Sequence, residues 1–185
     1  MRRILIYGGE YMNVQEAITN RYACREYTEE QLTTEETKKL IDAANAAPAG
    51  MGDYTGMKLT VVQDKELINA IESATAHGMP MMGDHPAYQA PTFMILSSKI
   101  NDQFPMIAYS NVSCAAENIM IQATALGLAS VFIMAVPTVM QGKQELLQSL
   151  NIKDDFVPLV MVAVGHAKNE VETIKPKRLL TEILK

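Results

Sequence analysis

A phosphate dianion is best held by arginine, whose planar guanidinium gives forked, charge-assisted hydrogen bonds that survive partial burial better than those of a lysine ammonium. Arg21 and Arg25 stand four residues apart in Arg21-Tyr22-Ala23-Cys24-Arg25-Glu26-Tyr27, and a further basic run, Lys175-Pro176-Lys177-Arg178, lies near the other end. Read at helical spacing, the two arginines fall one turn apart on one face. Each basic site alone also fits a plainer use, as solvated charges at a helix end or as a basic tail. His77, His85 and His166 show no ligand spacing among themselves or with Cys24 and Cys114, so no metal site is expected. Gly8-Gly9 follows Ile4-Leu5-Ile6 as a phosphate loop would, but the third glycine and the helix opening are missing.

The elements that must position these residues alternate between helix and strand without a long linker or repeat, which predicts one mixed α and β domain. A short helix is expected over residues 13–21, with Val14, Ala17 and Ile18 on one side. Thr33-Thr34-Glu35-Glu36 has the form of a capping box. The helix it opens should turn Leu40, Ile41, Ala44 and Ala47 inward and end at Pro48. Residues 57–62 alternate as a strand, and Asp64 is placed to cap a helix bearing Leu67, Ile68 and Ile71. Residues 78–91, rich in proline, glycine and methionine, read as a long loop of the kind that borders sites. Buried strands are expected over 92–98, 131–134 and 157–164, with helices over 110–127 and 145–150. Gly127 suits the C-terminal cap of the longer one.

Composition bounds the function. At 185 residues, 48% apolar and 20% charged, the chain can bury one sizeable core. A net charge of -5 with scattered basic residues argues against a nucleic-acid partner. Charged residues interrupt every apolar run well short of the ~20 residues that span a bilayer, so no membrane partner is expected. Two cysteines and no secretion signal imply a reducing, cytoplasmic setting. The domain is expected to run over 12–185, with residues 1–11 as an extension and Met12 as the true start, because Gly8-Gly9-Glu10 is what a purine-rich ribosome-binding site would encode if translated. Native protein whose mass includes Met1 would overturn that.

Taken in order, these segments resemble the FMN-dependent nitroreductase family. Arg21 to Tyr27 is similar to its Arg-x-Ser-x-Arg-x-Phe/Tyr segment, and Ala46-Ala47-Pro48-Ala49-Gly50 to its Ala-Pro-Ser segment one helix later. Ala115 to Ser130 resembles the family's long central helix and the Gly-Leu turn after it, and Phe132-Ile133-Met134-Ala135 stands where a backbone amide meets flavin N5. The resemblance implies a three-layer α/β/α fold of the α+β class with a central mixed or antiparallel sheet, and an obligate homodimer with FMN in two interface clefts. It implies cofactor contacts from Arg21, Tyr22, Ala23, Arg25, Met134, Ala135, Lys177 and Arg178, with Pro48, Ala49 and Gly50 reaching the partner's flavin. Tyr54, Tyr88 and Phe132 are candidates for a wall on which a flat acceptor stacks.

The implied activity is ping-pong reduction of electron-poor acceptors, such as nitroaromatics or quinones, by NADH or NADPH, with the flavin carrying the chemistry and no catalytic side chain required. Two departures stand out. Ala23 replaces the usual Ser, and the polar Ser, Asn and Gln of the Ala-Pro-Ser segment give way to Ala49-Gly50-Met51-Gly52-Asp53, leaving only backbone contacts. They keep open a non-catalytic FMN-binding sensor or flavin reservoir, and a structural dimer that has lost flavin.

Overall fold

The two central strands explain the architecture. In the computed structural model, which describes residues 12–153, 155–169 and 179–184, β1 (Met57–Val62), β2 (Thr92–Ser98), β3 (Ala129–Ile133) and β4 (Val157–Gly165) form one sheet in the order β1-β2-β4-β3. All three pairings are antiparallel. The one parallel contact among the described residues is an isolated bridge between Ala23 and Ser130. β2 is buried along its whole length, so both of its faces must be covered.

Side chains alternate across a strand, and two separate cores follow. Phe93 and Ile95 of β2, with Met161 and Ala163 of β4, pack on one face against Ile68 and Ile71 of α3 (Lys65–Gly78), Val136 and Met140 of α5 (Ala135–Met140) and Leu147 of α6 (Gln144–Ser149). Met94, Leu96, Val160 and Val162 pack on the other against Leu40 and Ala44 of α2 (Thr34–Asn45) and Val112, Ala116 and Ile119 of α4 (Pro105–Ala125). The result is the expected α/β/α layering, with a fully antiparallel sheet.

Helix ends follow local chemistry. Thr33 accepts from the Glu36 amide at 3.2 Å while the Glu36 carboxylate accepts from the Thr33 amide at 2.8 Å, and Asp64 caps α3 through the Leu67 amide. α2 stops at Asn45, before the predicted Pro48, and α3 runs on to Gly78. α4 begins at Pro105 instead of Ser110, because proline's missing N–H is no loss in a first turn. α5 is absent from the sequence reading: six residues with a proline third give no measurable period. In α1 (Val14–Asn20) only Ala17 is buried, while Val14 and Ile18, placed on the same side by their spacing, are 72% and 48% exposed. α1 packs on α4, and its larger apolar residues stay uncovered in a single chain.

Gly127, at φ +77°, closes α4: its own amide donates to Thr124 O at 3.0 Å and the Leu128 amide to Ala123 O at 2.8 Å. Gly127→Ala is expected to cost about 1 kcal/mol, because a Cβ disfavours this left-handed backbone. Thermal unfolding should show a Tm lower by about 2–4 °C; an unchanged Tm would contradict the assignment.

Candidate functional site

Arg21 to Tyr27 is extended, which corrects the helical spacing assumed for its arginines. Arg21 already leaves α1 with φ -62° and ψ 128°. Ala23 pairs with Ser130 at the start of β3, and the Cys24 amide donates to Ser130 O at 3.0 Å. Tyr27 pairs with Ala167, the Thr28 amide donates to His166 O at 2.9 Å and the Lys168 amide to Glu26 O at 3.0 Å. The segment thus straps the end of the sheet, from the free edge of β3 to the residues after β4. Cys24 and Tyr27 go into the core while Arg25 stays exposed.

The two guanidinium groups are steadied by different walls. Arg21 Nε lies 3.6 Å from the Glu117 carboxylate of α4. Arg25 Nε donates to Tyr88 Oη at 3.3 Å, its Nη1 donates to Ala23 O at 3.4 Å, and its guanidinium carbon sits 5.8 Å from the centre of the Tyr88 ring. Lys177 and Arg178 lie outside the described residues.

Tyr22 and Tyr27 back the strap from inside. Burial, reinforced by Cys24, pushes the Tyr22 hydroxyl up to about 12, and burial drives Tyr27 in the same direction. Both are neutral in the ordinary working range. A phenol whose pKa is higher folded than unfolded, where it is ~10, supports the fold fully below that value and loses the contribution as pH climbs through the folded value. Tm is therefore expected to begin falling above about pH 10. A Tm that stays level up to pH 12, the folded value for Tyr22, would argue against buried phenols here.

The second segment is held from α4. Pro48 and Gly50 are exposed and Ala49 is half-buried. The Gly50 amide donates to Asn111 Oδ1 at 2.8 Å, and a Cβ on Gly50 would lie 3.0 Å from Ile107 Cγ2. Met51 and Gly52 follow at φ +62° and +68°. Asn111, which sequence reasoning missed, is 8% exposed. Its signal was a polar residue between Ala108 and Ala115 on the buried stripe of α4.

Met134, 48% exposed, is the N-cap of α5, and half-buried Ala135 is its first residue, whose amide has no partner within the helix. Strap and amide therefore sit at opposite ends of β3. The three aromatics do not form one wall through shared packing. Tyr88 packs with the core on the α3 side and Phe132 with the core on the α4 side, as alternation from β3 requires. Tyr54 is exposed in the loop before β1.

Other features stand apart from the strap. A shallow cavity of about 520 Å³ between α3 and α6, lined by Ala70, Ala74, Lys143 and Leu146, touches none of the residues above. Among the described residues no group of three or more His, Cys, Asp or Glu gathers as a metal site, both cysteines are free, and no helix is long and apolar enough to cross a membrane.

Fold and site together define an α/β/α domain with an arginine-bearing strap across the end of an antiparallel sheet. The chain belongs to the nitroreductase family, whose model matches residues 18–166. A nitroreductase with bound FMN from Desulfitobacterium hafniense superposes with a TM-score of 0.82 at 21% identity, over 94% of this chain and 100% of that one. One from Bacteroides fragilis, also with bound FMN, gives 0.80 at 25% identity over the same shares. An FMN-dependent nitroreductase from Clostridium difficile gives 0.78 at 20% identity, over 92% and 98%. No curated protein matches the sequence.

Proposed function

We propose that this protein is an FMN-dependent oxidoreductase that takes electrons from NADH or NADPH and reduces electron-poor acceptors such as nitroaromatics or quinones. The observation that carries the reading is the extended strap, which sets Arg25 at one end of β3 while the Ala135 amide opens a helix at the other. The donor set suits FMN: guanidinium groups for the phosphate, an amide at the start of a helix for the ring, and a glycine that lets backbone approach closely. When bound, FMN supplies the hydride-accepting and hydride-donating chemistry.

The side chains then have binding roles. Arg21 and Arg25 hold the phosphate, joined by Lys177 and Arg178, and Tyr22 and Ala23 form the floor of the strap. The amides of Met134 and Ala135 fix the edge of the ring without an ionisable group. Pro48, Ala49 and Gly50 cradle the flavin of a second copy, with Asn111 holding the loop in place of the polar residues the family uses. Exposed Val14, Ile18, Phe104, Met106 and Tyr109 support a homodimer, since apolar residues on neighbouring helices gain most by being covered. Tyr54, Tyr88 and Phe132 remain candidates to flank the acceptor.

The absence of polar side chains at Ala49 and Gly50 favours one second reading, a flavoprotein that binds FMN without turning over nicotinamide. The visible spectrum of the purified, FMN-loaded protein separates the two. Bleaching by NADH or NADPH under anaerobic conditions, followed by reoxidation with a quinone, supports the oxidoreductase. Yellow protein that neither nucleotide bleaches supports the binding module, and protein that stays colourless with added FMN removes both.

A further inference from the structure

The turn that brings Tyr88 to Arg25 is itself held by a buried carboxylate. Glu72 lies on α3, 5% exposed, on the same stripe as Ile68, Ile71 and Thr75. A carboxylate among apolar side chains needs donors, and Glu72 draws its donors from a single turn. Oε1 accepts from the Ala87 amide at 3.2 Å and the Gln89 amide at 3.1 Å, and Oε2 lies 3.2 Å from His85 Nδ1. Between those two amides the backbone is strained: Tyr88 and Gln89 sit at φ +61° and +55°, where side chains bearing a Cβ rarely go.

Connecting α3 to β2 requires no such conformation, because residues 79–91 are long enough to take an unstrained path. What the strain achieves is local. It places the Tyr88 ring against the core, with its hydroxyl on Arg25 Nε and its face toward the guanidinium. Tyr88 and the Ala23 carbonyl engage two of the five N–H groups a guanidinium carries. The remaining donors belong to an exposed side chain whose orientation is already fixed.

We propose that Glu72 is a positioning residue for the Arg25 phosphate clamp, acting through the 85–89 turn and Tyr88. The inference rests on the FMN reading and deepens it, by naming what preorganises one arm of the site. Strained backbone held by surrounding structure is the usual mark of preorganisation, and here it coincides with the residue that touches the clamp.

The test is a double-mutant cycle read as FMN affinity, by quenching of flavin fluorescence on titration, with Tm recorded for each variant. Glu72→Gln keeps an acceptor for the turn and is expected to weaken FMN binding about tenfold, within the range typical of coupled neighbours. In an Arg25→Ala background the same substitution should have no further effect on affinity. Tyr88→Phe, which leaves the turn and Glu72 untouched, should reproduce part of the loss, about threefold, and supplies the answer if Glu72→Gln fails to fold. Equal affinity in wild type and Glu72→Gln, an undiminished loss without Arg25, or full affinity in Tyr88→Phe would each overturn the positioning role. Wild-type protein that takes up no FMN would instead overturn the cofactor reading beneath it.

Discussion

Arg25→Ala is expected to weaken FMN binding by about 30- to 150-fold, the equivalent of about 2–3 kcal/mol for a charge-assisted hydrogen-bonded contact. Arg25 should outweigh Arg21 because of what each already holds. Arg21 lies beside the Glu117 carboxylate, so engaging a phosphate there trades one anion for another. The contacts of Arg25 are a phenol oxygen and a backbone carbonyl, neither of which carries a charge that competes. Arg25→Lys should recover only part of the affinity, since an ammonium cannot reproduce the planar fork held against Tyr88. Raising the salt concentration should weaken wild-type binding more than binding to Arg25→Ala, because the arginine is exposed and its field is screened. Isothermal titration with FMN and with riboflavin checks the assignment directly. Riboflavin lacks the phosphate, so its affinity should barely distinguish wild type from Arg25→Ala. An Arg25→Ala protein that binds FMN as tightly as wild type would remove the strap from the site.

Much of the fold was legible because it is decided locally. A threonine with a glutamate three residues on, or an aspartate at the first free amides of a helix, acts within one turn, so both predicted caps appear, the capping box with Glu36 and Asp64 on the Leu67 amide. The run at 57–62 alternates through Lys58, Leu59, Thr60 and Val61, the run at 92–98 is apolar from Phe93 to Leu96, and both strands occupy the expected positions. The strap was harder for a physical reason. Residues four apart share a side in a helix and in a strand, so spacing alone cannot separate the two. What decides is pairing with Ser130 and Ala167, more than a hundred residues away. Spacing puts Val14, Ala17 and Ile18 on one side of α1 but does not say how deeply that side is covered; in a single chain only Ala17 is buried. Glu72 and Asn111 did leave a trace, since each is polar on an otherwise inward-facing helical stripe. A sequence shows that such a residue needs a partner, but not that the partner is a turn carrying Tyr88 or a loop at Gly50.

Gly165→Val should unfold the protein more readily than any surface change, at a cost of about 3 kcal/mol, the upper part of the usual range for overpacking. Gly165 ends β4 beneath the strap, where a Cβ would sit 2.6 Å from Pro91 Cδ and 2.9 Å from Tyr27 Cδ1. Neither neighbour can give way cheaply. Pro91 is a rigid ring whose carbonyl accepts from Gln31 at 2.8 Å, and Tyr27 is buried with its hydroxyl within 3.3 Å of Cys24 O and Ala163 O. The added carbons must therefore push the Tyr27 ring outward, and the strap with it. Tm should fall by about 6–12 °C, and FMN affinity should fall too, since Arg25 is only two residues from the displaced ring. Gly142→Ala is the matched control, because its new Cβ would meet nothing closer than 3.9 Å and both properties should stay near wild type. If Gly165→Val lost stability but kept full FMN affinity, Tyr27 would not be what fixes the arginine strap, and the clamp would have to be ordered from the Tyr88 side alone.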